Sequence, residues 1–246
     1  MQIIAHRGNK KYTPENTMAA FISAATYPID GVEFDLQWSK DQVPVVIHDP
    51  TIDRTTNGRG AVRSFTLQEL KQFDAGSYFH ESFRGEKIPS FADVLNWAKG
   101  TKLDLHVELK QQRDQPSLFV ESCLHEIDKS GLSNRVVIST FYHSYISEIK
   151  RQNSLINTAL LTKTPIFRGT KYARQVQADG IHIRHGFQAS RYYLGWSKKG
   201  VPIRVYRVHS VREAKKCQRL NVDAIITNDP RLMTENFREN QKLNGV

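Results

Sequence analysis

Nine short apolar runs, rich in β-branched residues, recur along the chain at 2–6, 31–36, 44–48, 103–110, 135–140, 157–161, 180–184, 202–208 and 224–227. Helical patterns separate most of them, at 14–26, 117–130, 142–152, 172–177 and 211–220. Strands joined through helices run parallel, and a parallel sheet needs both faces covered. In a chain of 246 residues, that alternation predicts one α/β domain built as a TIM (β/α)8 barrel. Nine runs are one too many for such a barrel. The linker between residues 36 and 44 is shorter than the dozen or so residues of a parallel crossover. The runs on either side are therefore expected to form an antiparallel hairpin turning near 40–43, with Asp35 opposite His48. The 44–48 arm then lies outside the barrel and carries His48 back to its mouth.

Residues 49–91 break the alternation. They hold Thr55-Thr56-Asn57-Gly58-Arg59-Gly60, a short helical pattern at 67–73 and Asp74-Ala75-Gly76-Ser77-Tyr78-Phe79. A small inserted subdomain after the second-strand hairpin, packed over the barrel mouth, is expected here, because long connections at that face usually carry function. Composition narrows the class further. The chain is 39% hydrophobic and 24% charged, as folded globular proteins are, and no apolar run approaches the ~18 residues of a membrane span. The start, Met1-Gln2-Ile3-Ile4-Ala5-His6, lacks the charged, apolar and cleavable regions of a secretory signal, so a cytoplasmic location is expected. Cys123 and Cys217, far apart and without metal-site spacing, are expected as buried thiols. The net charge of +10 reads first as a solvated basic surface, with a mild attraction for phosphorylated substrates or anionic lipid surfaces beside it. Basic residues are denser at 184–199 and 212–219 but form no basic helix interleaved with aromatics, so nucleic acid is not expected as a partner.

The chemistry-bearing residues lie at strand ends. Side chains two apart on a strand share a face. In 31–36, Val32, Phe34 and Leu36 suit the helix-facing side, which turns Glu33 and Asp35 inward. In 103–110 the same alternation turns Asp104, His106, Glu108 and Lys110 inward, and only the last two reach the mouth. Clustered carboxylates out of water need a counter-charge, and a hard divalent cation is the usual one; all-oxygen ligation suits Mg²⁺, Ca²⁺ or Mn²⁺. His6 and His48 beside such an ion suit proton transfer near neutral pH. Arg7 follows His6, and Gly8 permits a tight turn; arginine grips phosphate through two parallel hydrogen bonds. Thr13 reads as an N-cap and Pro14 as the first helical residue. Asp104 and His106 are expected to be hydrogen-bonded in the barrel interior. His182 and Arg184 point inward as lining or substrate contacts, and Thr227-Asn228-Asp229-Pro230 reads as a turn with an Asx bond.

Taken in order, His6-Arg7-Gly8, Pro14-Glu15-Asn16-Thr17, Val32-Glu33-Phe34-Asp35, Lys40-Asp41, Pro44-Val45-Val46-Ile47-His48-Asp49 and Glu108-Leu109-Lys110 resemble the glycerophosphodiester phosphodiesterase family. The resemblance continues through Phe73-Asp74-Ala75-Gly76-Ser77, Lys87-Ile88-Pro89-Ser90 and Ala224-Ile225-Ile226-Thr227-Asn228-Asp229-Pro230, nearly the whole chain. It implies a TIM barrel with a small inserted subdomain. It implies one divalent metal ion, Mg²⁺ or Ca²⁺ foremost and Mn²⁺ as a third choice, on Glu33, Asp35 and Glu108. His6 and His48 become the acid–base pair, and Arg7 and Lys110 the phosphate holders. The implied substrate is a small glycerophosphodiester, split to glycerol 3-phosphate and an alcohol by way of a cyclic glycerol phosphate. Two other readings stand beside it: lysophospholipase D-type cleavage of lysophospholipids, and a non-catalytic phosphoester-binding module, which would need no acid–base pair. One departure stands out: the family's Trp-Thr-Val-Asn-like segment reads Tyr206-Arg207-Val208-His209 here, which bears on the leaving group.

Overall fold

The structure, a computed structural model, describes residues 1–238. In chain order the elements are β1 (Gln2–His6), α1 (Met18–Ala25), β2 (Gly31–Trp38), β3 (Pro44–Val46), α2 (Leu67–Leu70), α3 (Phe91–Ala98), β4 (Asp104–Leu109), α4 (Pro116–Ser130) and β5 (Val136–Thr140). They continue with α5 (Ser144–Gln152), β6 (Asn157–Thr162), α6 (Gly169–Gln175), β7 (Gly180–Arg184), α7 (Phe187–Ser197), β8 (Ile203–Tyr206), α8 (Val211–Arg219), β9 (Ala224–Thr227) and α9 (Pro230–Met233). Parallel pairings run from β1 through β2, β4, β5, β6, β7, β8 and β9 and return to β1. Eight strands thus close into a TIM barrel. β3 pairs antiparallel with β2 and lies outside the ring, as the short linker requires. Among the described residues no helix is long and apolar enough to cross a membrane, and Cys123 and Cys217 are free and buried, as expected.

The barrel is held by the alternation read above. Val32, Phe34 and Leu36 pack outward into the main core with Phe21 of α1, Phe91 of α3 and Phe119 of α4. Ring pairs bind the layers: Phe21 to Phe34 at 5.6 Å, Phe34 to Phe91 at 5.9 Å and Trp38 to Phe119 at 5.7 Å, spacings at which offset and edge contacts are favourable. At the strand starts, Asp30, Asp179 and Asp223 each accept a neighbouring strand's N–H, from Ile3, Thr158 and Ile203, all at 2.7 Å. Residues 49–91 add a separate apolar cluster of Ile52, Val62, Leu70, Ala75 and Ile88, closed by Val45 and Ile47 of the hairpin arm.

Three expectations are corrected. The hairpin register differs by one residue: Leu36 faces Val46, and the Ile47 N–H donates to the Asp35 carbonyl at 3.1 Å, so Ile47 rather than His48 lies opposite Asp35. The cause is a three-residue turn in place of a two-residue one. Ser39 bonds Val43, and Gln42 takes a left-handed φ of 63°, the usual way an odd-length loop matches the strand twist. The first helix begins at Met18 with Thr17 as its cap, not at Pro14. Thr13 instead donates its hydroxyl to the Asn9 carbonyl, and Asn16, at φ 58°, interrupts any helix before Thr17. Finally, His106 has no hydrogen-bond partner at either ring nitrogen and stacks 5.6 Å from His182. Asp104 is satisfied separately by Gln2. Burial, with the Arg204 cation nearby, pushes both imidazoles well below their usual range, so they stay neutral.

Candidate active site

Strand register alone assembles the site. Across β1 and β2, His6 faces Glu33; across β2 and β4, Asp35 faces Glu108. His6 ends β1 and Glu108 lies next to the end of β4, so their partners Glu33 and Asp35 are carried to the C-terminal face, where barrel enzymes build their sites. Glu33, Asp35 and Glu108 are buried, and one carboxylate oxygen from each lies within 4.8 Å of the other two. Lys110 Nζ is 2.7 Å from Asp35 Oδ1 and also bonds Glu108. Arg7, expected as a phosphate holder only, reaches the same cluster: its Nε lies 3.1 Å from Asp35 Oδ2, and its Nη1 donates to Glu15 at 2.7 Å. That reach follows from the strand-end turn. Arg7 and Gly8 have φ of 55° and 78°, and a Cβ on Gly8 would lie 2.6 Å from the Ala20 backbone, so only glycine fits there. The left-handed Asn16 turns its amide back to donate to Asp35 Oδ2 at 2.9 Å.

The electrostatics leave the cluster short of positive charge. Against the cost of burial, Lys110 and Arg7 hold Asp35 well below the usual carboxylate range. Burial and the two neighbouring carboxylates push Glu33 well above it, and burial pushes Glu108 up to about 7. Two cations cannot keep three buried carboxylates ionised. An all-oxygen donor set with a charge deficit fits a hard divalent cation, so Glu33, Asp35 and Glu108 could hold one.

Each histidine is aimed by its Nδ1. His6 Nδ1 lies 2.5 Å from Asn228 Oδ1, so this nitrogen donates and Nε2, 3.8 Å from Glu33, keeps the lone pair. His48 Nδ1 donates to Asp49 at 2.6 Å. Asp49 accepts from Arg54 Nε, Arg54 donates to Glu15 at 2.7 Å, and Glu15 holds Arg7. A chain of charge-assisted bonds therefore runs from the 49–91 segment to the carboxylate cluster. Gln37 fixes the same corner by donating to the His48 carbonyl at 3.1 Å. Burial pushes His6 down to about 3 and lowers His48 as well, so both are neutral near pH 7.

A sequence model of the glycerophosphoryl diester phosphodiesterase family matches residues 6–232. The chain belongs to this family. It is 34% identical over 237 residues to a glycerophosphodiester phosphodiesterase of Caldanaerobacter subterraneus subsp. tengcongensis, covering 96% of this chain and 98% of the relative. It is 32% identical over 232 residues to one from Bacillus altitudinis, covering 93% and 95%. The barrel superposes on an Oleispira antarctica phosphodiesterase solved with its product sn-glycerol-3-phosphate, with a TM-score of 0.89 at 25% identity over 94% of each chain. It has the same fold as a glycerophosphodiester phosphodiesterase of Agrobacterium tumefaciens, with a TM-score of 0.82 at 24% identity over 96% and 99%. As a glycerophosphodiester phosphodiesterase, the protein is a phosphoric diester hydrolase.

All seven residues singled out in the sequence come to the mouth of this phosphodiesterase barrel. Residues that sequence reasoning did not assign are Glu15, Asn16, Asp49, Arg54 and Asn228. Asn228 was reachable in principle: once β9 closes on β1 with Ala5 facing Thr227, the next pair is His6 and Asn228. Asp49 adjoins His48. Arg54 carried no signal, since only the path of the 49–91 segment brings it to Glu15.

Proposed function

We propose that the protein hydrolyses small glycerophosphodiesters to glycerol 3-phosphate and an alcohol, with His6 and His48 as the proton-transfer pair. The observation that carries this reading is the convergence of two neutral histidines, both engaged at Nδ1, on three buried carboxylates that lack counter-charge. A binding module would need no such pair. Glu33, Asp35 and Glu108 would hold one divalent ion, Mg²⁺, Ca²⁺ or Mn²⁺. When bound, that ion supplies Lewis acidity and offsets phosphate charge. Arg7 and Lys110 stand beside the cluster, where their remaining donors can stabilise charge on phosphoryl oxygens. One histidine takes the proton of the attacking hydroxyl at its free ring nitrogen; the other must first gain a proton there, which the charge of a bound phosphate favours, and then gives it to the departing alkoxide. The reading makes the attacking group the glycerol hydroxyl next to the phosphoester, because a neighbouring hydroxyl reacts with an effective molarity reaching ~10⁵ M or more. The product seen in the Oleispira relative favours a glycerol phosphate on the retained side. The chain is read as one domain, with residues 49–91 as a small insertion that supplies Asp49 and Arg54. Lysophospholipid cleavage has no observation of its own in its favour.

The test is release of glycerol 3-phosphate from glycerophosphocholine, followed for the wild type and for His6→Ala and His48→Ala. Loss in both variants supports the reading, and near-normal turnover in either removes that histidine. A glycerophosphodiester lacking the adjacent hydroxyl should bind but resist cleavage; cleavage at a comparable rate would make water the nucleophile.

A further inference from the structure

The charge of the chain is unevenly placed. Residues 163–219 carry fourteen lysines and arginines against two acidic residues, Asp179 and Glu213, an excess of +12 in a chain whose net charge is +10. The remainder is therefore slightly negative. This basic stretch contains the connections after β6, β7 and β8, and the parallel pairing of those strands puts all three connections at the same end of the barrel as His6 and Glu108. Two large apolar side chains stand out there. Phe167, before α6, is 83% exposed, and Phe187, the first residue of α7, is 70% exposed. The two helices touch: Gly169 of α6 packs on Trp196 of α7, where a Cβ would lie 2.9 Å from the indole. Cations sit over both rings, Arg168 at 5.4 Å from the Phe167 centroid and Arg191 and Lys216 at 4.7 and 5.7 Å from that of Phe187.

Exposed phenyl rings framed by lysine and arginine match an interfacial surface. The rings enter the headgroup boundary while the cations meet lipid phosphates. A single-stranded nucleic acid would instead stack its bases along a basic groove, whereas these ring faces are already covered by cations. We propose that the rim formed by the connections after β6, β7 and β8 docks the enzyme, mouth first, on an anionic lipid bilayer, with Phe167 and Phe187 as its apolar anchors. The complementarity of the cations that frame the two rings, Arg168, Arg191 and Lys216, with an anionic surface selects that occupant over a zwitterionic one.

The experiment is co-sedimentation of the full chain with vesicles of phosphatidylglycerol mixed into phosphatidylcholine, and with pure phosphatidylcholine, at low and high salt. The wild type is expected on the anionic vesicles at low salt and not on the neutral ones. Phe167→Ser combined with Phe187→Ser should lower partitioning at least ~10-fold, from the apolar area withdrawn. Its rate on soluble glycerophosphocholine should equal the wild-type rate, which reports folding separately. Charge reversal at Arg168 and Arg191 should abolish partitioning. Absence of wild-type binding to anionic vesicles, or equal binding by the double phenylalanine variant, would overturn the proposal. So would retention of a labelled oligonucleotide by a protein that ignores the vesicles.

Discussion

At the scale of single residues, the site depends on how each ionisable group is held. Asp35 is fully buried and faces Lys110, Arg7 and Asn16 together. Asp35→Ala should therefore remove a cation ligand and also strand two buried positive charges, at a cost of about 3–5 kcal/mol. Denaturant unfolding measures this, and Glu108→Ala, which leaves Lys110 its Asp35 partner, should cost less. Both variants, and Glu33→Ala, should lose activity and bind divalent metal more weakly in a calorimetric titration. His6→Ala and His48→Ala should lower kcat by about 10² to 10⁴ with metal affinity kept, which separates proton transfer from ion binding. Asn228→Ala should lower kcat about 10- to 100-fold, the scale of losing an orienting partner, with KM little changed. An Asn228→Ala enzyme with full turnover would show that His6 needs no such aim. The carboxylates were legible in the sequence because strand alternation fixes which side chains face inward. The partners of the histidines carried a weaker signal: Asp49 only its adjacency to His48, and Asn228 only the ring closure that sets it beside His6. His106 was misjudged for a related reason: its neighbours are set by the barrel's layers, and the layer it enters offers it His182 and no hydrogen-bond partner.

At the scale of elements, the strands follow from apolar, β-branched runs with little ambiguity, but their punctuation does not. α3 begins with Ser90 and Asp93 in a reciprocal cap, a signal present in the sequence, yet it sits just past the irregular 49–91 stretch. α7 has no side-chain cap at all. The start of α1 was obscured by Asn16, whose left-handed backbone serves Asp35 rather than helix continuity. Gly8 marks the other side of that corner. Gly8→Ala should displace α1 from the end of β1 and cost about 1–3 kcal/mol, from the positive φ and the clash with Ala20 together; a Tm unchanged from wild type would contradict it. In the 49–91 segment, Asp74 accepts from the Ser77 N–H and hydroxyl, the Gly76 N–H and the Gly85 N–H, at 2.7 to 2.9 Å. These bonds, the Ser77 N–H foremost, hold its carboxyl well below the usual range. A depressed folded value means that its stabilisation is fully present above the ordinary aspartate value of about 3.9 and fades as pH falls toward the folded one. Amides of residues 74–86 should thus lose exchange protection on acidification below about pH 4, and Asp74→Ala should lower their protection at neutral pH. Equal protection in the variant would show that the apolar cluster alone shapes the segment.

At the scale of the whole molecule, barrel closure brings the first strand, the hairpin and the fourth and last strands to one mouth. Residues from 6 to 228 thereby share a site that no local stretch contains. The central claim is that hydrolysis of the glycerophosphodiester runs through an ion held by Glu33, Asp35 and Glu108 and through the two histidines beside it. The most direct measurement is glycerol 3-phosphate release from glycerophosphocholine by protein stripped with EDTA and then resupplied in turn with Mg²⁺, Ca²⁺ and Mn²⁺. The account predicts loss of activity on chelation, recovery with at least one of these ions, and no recovery in Glu33→Ala, Asp35→Ala or Glu108→Ala. Full activity in the thoroughly chelated wild type would contradict it.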